Sequence, residues 1–205
     1  MAILVSVGLF TLLLWQVQCS VLKPQIPSVA SFRPSIGSFE LSMSSSVRIV
    51  VDTKYANYGS PTLLDYATTF REDLQDTLSY VSLPPIELSS VVPDSIFGIP
   101  TIYLTLDPSL QYTLYNGRST DEGYDFQVSQ YVYLIKGSAP LGVWWGTRTL
   151  LQQAAIQLSG GARTVSFPAG EGSDSPGWEV RGFMLDAGRH WFDASFLGEW
   201  NHQLT

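Results

Sequence analysis

The run Val180-Arg181-Gly182-Phe183-Met184-Leu185-Asp186 constrains the fold more than any other stretch of this chain. Its apolar core is too short for a typical helix and is bounded by Gly177 and Gly188, so it predicts a buried strand. Parallel strands with both faces covered read this way. A guanidinium keeps its charge in such a setting. Arg181 therefore has to meet a carboxylate, several carbonyls or a polar ligand that offsets its desolvation, which makes it a candidate binding residue. Asp186, Arg189 and His190 follow at close spacing.

The stretch before this run reads as a separate α+β unit over residues 39–167. Val47-Arg48-Ile49-Val50-Val51-Asp52 is β-branched and predicts a strand. Leu64, Ala67, Phe70, Leu74 and Leu78 recur at three- and four-residue steps among Arg71, Glu72, Asp73 and Asp76, the pattern of an amphipathic helix over residues 64–80. Pro84-Pro85 stops it, and strands are expected over residues 86–89, 101–106 and 124–135. Pro140 opens a second helix that Gly160-Gly161 closes. That order predicts a sheet with its helices packed on one face. Residues 21–38, with Pro24, Pro27 and Pro34, read as an extended leading segment, and the Gly- and Pro-rich residues 168–177 read as a linker. Beyond the run, Asp193 is placed to cap a helix over residues 194–204.

Residues 1–20 carry the apolar stretch 3–15 followed by small and polar residues, the pattern of a secretory signal peptide, and they predict a secreted or vacuolar, lysosome-like destination. Cys19 is the only cysteine, so cleavage after it leaves no disulfide, thiolate zinc site or thiol nucleophile. A net charge of −7 argues against a nucleic-acid backbone or an anionic membrane surface as partner. At 45% hydrophobic and 14% charged residues, the chain is expected to fold rather than remain disordered.

The ordered motif Arg181-Gly182-Phe183-Met184-Leu185-Asp186-Ala187-Gly188-Arg189-His190-Trp191 resembles the opening barrel strand of the family 20 glycoside hydrolases, the β-N-acetylhexosaminidases. Upstream, Gly142-Val143-Trp144-Trp145-Gly146-Thr147-Arg148-Thr149-Leu150-Leu151-Gln152 is similar to the helix that ends that family's non-catalytic amino-terminal domain. The resemblance implies an α+β leading domain followed, over residues 178–205, by the first βα unit of an incomplete (β/α)8 barrel. It places Arg181 at the floor of the −1 sugar subsite, hydrogen-bonded to the C3 and C4 hydroxyls of a terminal N-acetylhexosamine. A rigid fork of donors suits two adjacent hydroxyls. Asp186, Arg189 and His190 match the motif as scaffold around the first βα loop.

The family's chemistry is substrate-assisted retention. The 2-acetamido carbonyl attacks the anomeric carbon, an Asp orients that amide, and the adjacent Glu protonates the leaving oxygen. The resemblance puts this Asp-Glu pair on a later barrel strand, so the present chain alone is expected to be inactive. Asp121-Glu122 lies in a turn of the upstream unit and is rejected as that pair. The implied partners are N-acetylhexosamine-terminated oligosaccharides or glycans, with no cofactor. A metal site based on His190 and His202 lacks further ligands, and no Ser of residues 42–46 has a neighbouring base. Trp144 and Trp145 could stack on sugars, but large aromatics within a helix more commonly pack. The alternative reading is a secreted, non-catalytic accessory or interaction module.

Overall fold

The β-branched run folds as expected into a strand, Arg48–Asp52, with Ile49, Val50 and Val51 fully buried. This was read from a computed structural model, which describes residues 22–25, 27–42, 46–92, 98–182 and 193–196. In chain order the elements are β1 (Ser31–Ser42), β2 (Arg48–Asp52), α1 (Leu63–Thr77), β3 (Glu87–Ser89), β4 (Thr101–Leu106), β5 (Tyr112–Thr113), β6 (Ser119–Thr120), β7 (Tyr124–Val128), β8 (Val132–Gly137), α2 (Pro140–Ser159) and β9 (Thr164–Asp174). Seven strands form one mixed sheet in the order β1-β9-β7-β8-β4-β2-β3. The first four are mutually antiparallel, and β8, β4, β2 and β3 are parallel. A short hairpin, β5-β6, stands apart.

Helix α1 starts where Thr62 and Asp65 form a capping box. The Thr62 hydroxyl accepts from the Asp65 amide at 3.1 Å, and the Asp65 carboxylate accepts from the Thr62 amide at 2.8 Å. Its apolar stripe of Leu63, Ala67, Phe70 and Leu74 faces the sheet with no residual exposure. The same sheet face supplies Phe39, Leu41, Ile102, Leu104, Phe126, Tyr133, Ile135, Val165 and Phe167, and α2 adds Val143, Leu150 and Ala154 to form one core. Removing Phe70 from it by substitution to Ala would cost about 3–5 kcal/mol. The expectation of helices on one face of a sheet therefore holds for the described unit.

Three boundaries differ from the sequence reading, each for a physical reason. The predicted strand over residues 124–135 is two strands. The Ser129 hydroxyl accepts from the Val132 amide at 3.2 Å, the Ser129 amide donates to the Val132 carbonyl at 2.9 Å, and the chain reverses there. The supposed linker 168–177 is largely strand. Residues up to Asp174 lie in β9, an interior strand paired to β1 on one side and β7 on the other. Its glycines leave room for rings: a Cβ on Gly172 would sit 2.1 Å from the Phe126 ring. Pro168 is tolerated at the register shift between Pro34 and Ser38 of β1. The leading segment likewise gives way to strand at Ser31, because β1 supplies an edge for β9. Residues 22–25 do run as irregular chain over α2, where the buried Gln153 amide clasps the Lys23 backbone at 2.9 and 2.7 Å.

Residues 178–182 form no strand, and Val180 is 87% exposed, so the expected burial does not extend to them. A strand needs a partner for its backbone groups, and none of the described strands pairs with this segment. Residues 183–186 lie outside the described residues.

Candidate functional site

Where the chain leaves β9 it passes the start of α2 and the turn before β7, and Arg181 meets both. One terminal nitrogen of Arg181 is hydrogen-bonded to Glu122 Oε2, and the other donates to the Trp178 carbonyl at 2.6 Å. The guanidinium lies 5.3 Å from the ring centre of Trp145, whose indole N–H donates to the same Glu122 Oε2 at 2.7 Å. The sequence argument required a carboxylate or carbonyls for Arg181, and it has one of each. The premise of deep burial is corrected: the Arg181 side chain is 41% exposed and Glu122 is the shielded partner at 14%.

The backbone explains why Glu122 is held there. Gly142, in the first turn of α2, packs against the turn, and a Cβ on it would come within 2.2 Å of the Gly123 carbonyl oxygen. Only a glycine lets the helix start so close to residues 121–123, and that approach carries Trp145 onto Glu122. The adjacent acids diverge. Asp121 is exposed, whereas Glu122 Oε2 is occupied by two donors.

A second cluster flanks the first. Arg148 stacks on Trp144 at 3.7 Å and donates to Asp73 of α1 at 2.6 Å, while Tyr66 packs on the other part of Trp144 at 5.2 Å. Burial pulls the Arg148 guanidinium down from its ordinary pKa, and the Asp73 carboxylate opposes that pull. One terminal nitrogen of Arg148 is buried without a hydrogen-bond partner. Trp144 and Trp145 are thus packing residues, half-buried and engaged by cations, as expected for aromatics on this helix. On the far side of Arg181, Tyr115 and Trp178 meet edge to face at 5.6 Å with 79% and 61% exposure, beside an Arg118–Glu179 ion pair.

Of the residues singled out from sequence, Arg181 is placed as above, and Asp186, Arg189, His190 and Trp191 lie outside the described residues, as do residues 1–20. Asp193 accepts from the Phe196 amide at 2.7 Å at the start of a helical turn over residues 194–196, as its capping position predicts. Sequence reasoning missed Glu122 and Trp145 as partners of Arg181. No short-range signal connects them, since Glu122 and Arg181 are 59 residues apart. Among the described residues no group of His, Cys, Asp and Glu could hold a metal ion, and no helix is long and apolar enough to cross a membrane.

No family model and no curated protein sequence matches the chain. Solved structures do. The exo-β-N-acetylglucosaminidase of Vibrio harveyi, in complex with N-acetylglucosamine, is 20% identical with a TM-score of 0.56 over 87% of this chain and 23% of its own. The β-N-acetylhexosaminidase of Bacteroides fragilis gives 21% and 0.55 over 85% of this chain and 29% of its own. That of Streptomyces coelicolor gives 19% and 0.54 over 86% and 31%. The fold is one found in family 20 β-N-acetylhexosaminidases. The resemblance drawn from two sequence motifs and the likeness of the folded chain thus converge on the same group of proteins, of whose length this chain spans less than a third.

Proposed function

We propose that this chain is the leading part of a secreted β-N-acetylhexosaminidase, comprising its α+β domain and the opening strand of its catalytic barrel. The observation that carries the reading is the ordered motif from Arg181 to Trp191, standing directly after a domain whose fold occurs in such enzymes. The complete protein would release terminal, non-reducing N-acetylhexosamine from chitooligosaccharides or glycans. Its 2-acetamido carbonyl would attack the anomeric carbon to form a cyclic intermediate, which water then opens with net retention. An Asp-Glu pair beyond this chain would orient the amide and protonate the leaving oxygen, so the chain alone would not hydrolyse substrate.

Arg181 is the residue of this chain assigned to substrate. Its charged fork would donate to the C3 and C4 hydroxyls of the terminal sugar. Two charge-assisted hydrogen bonds at about 1.5–3 kcal/mol each set the expected loss on Arg181→Ala at about 100- to 10,000-fold in kcat/KM. The test is hydrolysis of 4-nitrophenyl N-acetyl-β-glucosaminide by the complete protein and its Arg181→Ala variant. Absence of hydrolysis by the complete protein, or an unaltered kcat/KM in the variant, overturns the reading.

A further inference from the structure

The sheet face turned away from the helices carries a groove that the proposed chemistry does not use. Side chains that alternate with the core residues line up across the strands in register, with Arg33 of β1 opposite Glu171 of β9, Glu171 opposite Gln127 of β7, and Gln127 opposite Leu134 of β8. Two residues further along the strands, on the same face, Asp125 of β7 stands opposite Lys136 of β8. Two hollows share Arg33, Gln127, Leu134 and Glu171 and so form one continuous groove. The part of about 240 Å³ is lined by Asp125 and Lys136, and the part of about 480 Å³ by Val128 and Val132. That size falls within the range of small-molecule sites.

The chemistry of the groove selects a kind of ligand. Two cations, Arg33 and Lys136, line the groove with two carboxylates, Asp125 and Glu171, and Lys136 also pairs with Asp107 beside the groove at 3.8 Å. With no excess of positive charge the groove disfavours an anion, and its mixed signs suit a guest that carries both hydrogen-bond donors and acceptors. The polar groups other than Lys136 are spread along the groove and largely unspent. The Arg33 guanidinium has no hydrogen-bond or ion-pair partner among the described residues. Gln127 reaches Glu171 only at 3.4 Å, and Asp125 holds a single side-chain donor, the Tyr112 hydroxyl at 2.7 Å. Donors and acceptors alternate over a few ångströms next to an aliphatic strip, the pattern that a sugar ring presents in complement, with hydroxyls at its rim and C–H groups on its face.

We infer that this groove is a second, non-catalytic carbohydrate site that holds an N-acetylhexosamine unit of a chitooligosaccharide. Arg33 and Gln127 donate to hydroxyl and acetamido oxygens, Asp125 and Glu171 accept from hydroxyls, and Val132 and Leu134 meet the ring face. The choice of N-acetylated sugar rests on the proposed function, and the groove itself does not. The site lies on the opposite face of the sheet from α1 and α2, and so would tether a polymeric substrate rather than take part in bond cleavage.

The test titrates chitotriose into the isotopically labelled 205-residue chain and follows backbone amide resonances. Saturable shifts are expected at residues 33, 125, 127, 136 and 171. Affinity should fall about tenfold or more in Arg33→Met and, independently, in Asp125→Asn, with far-UV circular dichroism unchanged. Absence of saturable shifts, shifts confined to other surfaces, or an affinity in both variants equal to that of the parent overturns the inference. Because this readout is binding by the chain itself, its failure is distinguishable from failure of the hydrolase reading, which is measured as turnover by the complete protein.

Discussion

Substituting Tyr133 by Phe should stabilise the protein, against the usual direction of core substitutions. Tyr133 is 1% exposed, and its hydroxyl is buried without a hydrogen-bond partner among the described residues. The ring is well held, stacked on Phe126 at 5.9 Å and edge-on to Phe167 at 5.5 Å and Phe39 at 6.0 Å. Phe preserves those contacts and removes only the oxygen. An unsatisfied buried hydroxyl costs about 1–3 kcal/mol. The void left by one oxygen, about 10 Å³ at about 24 cal/mol per Å³, returns only about 0.2 kcal/mol of that. The net expectation is about 1–3 kcal/mol of added stability, or a Tm higher by about 2–12 °C for a domain of this size. Urea unfolding followed by circular dichroism reads it as a higher midpoint at constant slope. A variant less stable than the parent by about 1 kcal/mol would refute the reasoning, because it would mean that the hydroxyl is satisfied through a buried water.

Gly172→Ala should destabilise by about 1–3 kcal/mol through overpacking against the Phe126 ring, and combining it with Phe126→Leu should recover part of the loss; equal stability of Gly172→Ala and parent would remove the steric account of β9. Asp174 is held above its ordinary pKa of 3.8, first by desolvation, although it accepts from the Ala30 and Ser175 amides at 3.3 and 2.9 Å. Its protonated form is the one the fold favours, so its contribution is fully present below pH 3.8 and is lost as pH rises through the folded value. Asp174→Asn should therefore gain on the parent as pH rises from about 3 to 7, and a gap that stays constant over that range sinks the assignment. Glu122→Gln should speed amide exchange at residues 178–182 while changing global stability by less than about 1 kcal/mol, since its partner Arg181 is 41% exposed; unchanged exchange there would show that the ion pair does not hold the segment.

Much of this fold is written in local pattern, and the rest depends on neighbours that sequence does not display. The β4 strand spans the expected residues 101–106 because a β-branched and aromatic run sits between Pro100 and Asp107-Pro108. Helix α2 begins at Pro140 and ends before Gly160-Gly161 for equally local reasons. In contrast, β9 reads as linker because its Pro and Gly residues are turn formers by propensity. Only the ring of Phe126, 46 positions upstream of Gly172, makes a glycine the fitting residue there. The site divides in the same way. That Arg181 needs a carboxylate follows from its chemistry, but that the carboxylate is Glu122 follows from the approach of α2 to residues 121–123, a tertiary fact.

The Glu122 contact also bears on how Arg181 could serve a sugar. In the proposed enzyme Arg181 lies in a barrel strand, and a strand in place carries its side chain to whatever faces the barrel floor. The contact described here opposes that only weakly. At 41% and 14% exposure the pair is worth about 1 kcal/mol or less. Pairing that strand on both sides in the proposed enzyme would, by comparison, satisfy several backbone groups, and each large apolar side chain it covered would add about 1.5–3 kcal/mol. Barrel formation therefore outweighs the latch by several-fold, and Glu122 is left with the Trp145 indole as a satisfied partner when Arg181 departs. In the proposed enzyme the leading domain would therefore not impede transfer of this segment to a barrel, because the Glu122 contact is the weaker of the two interactions.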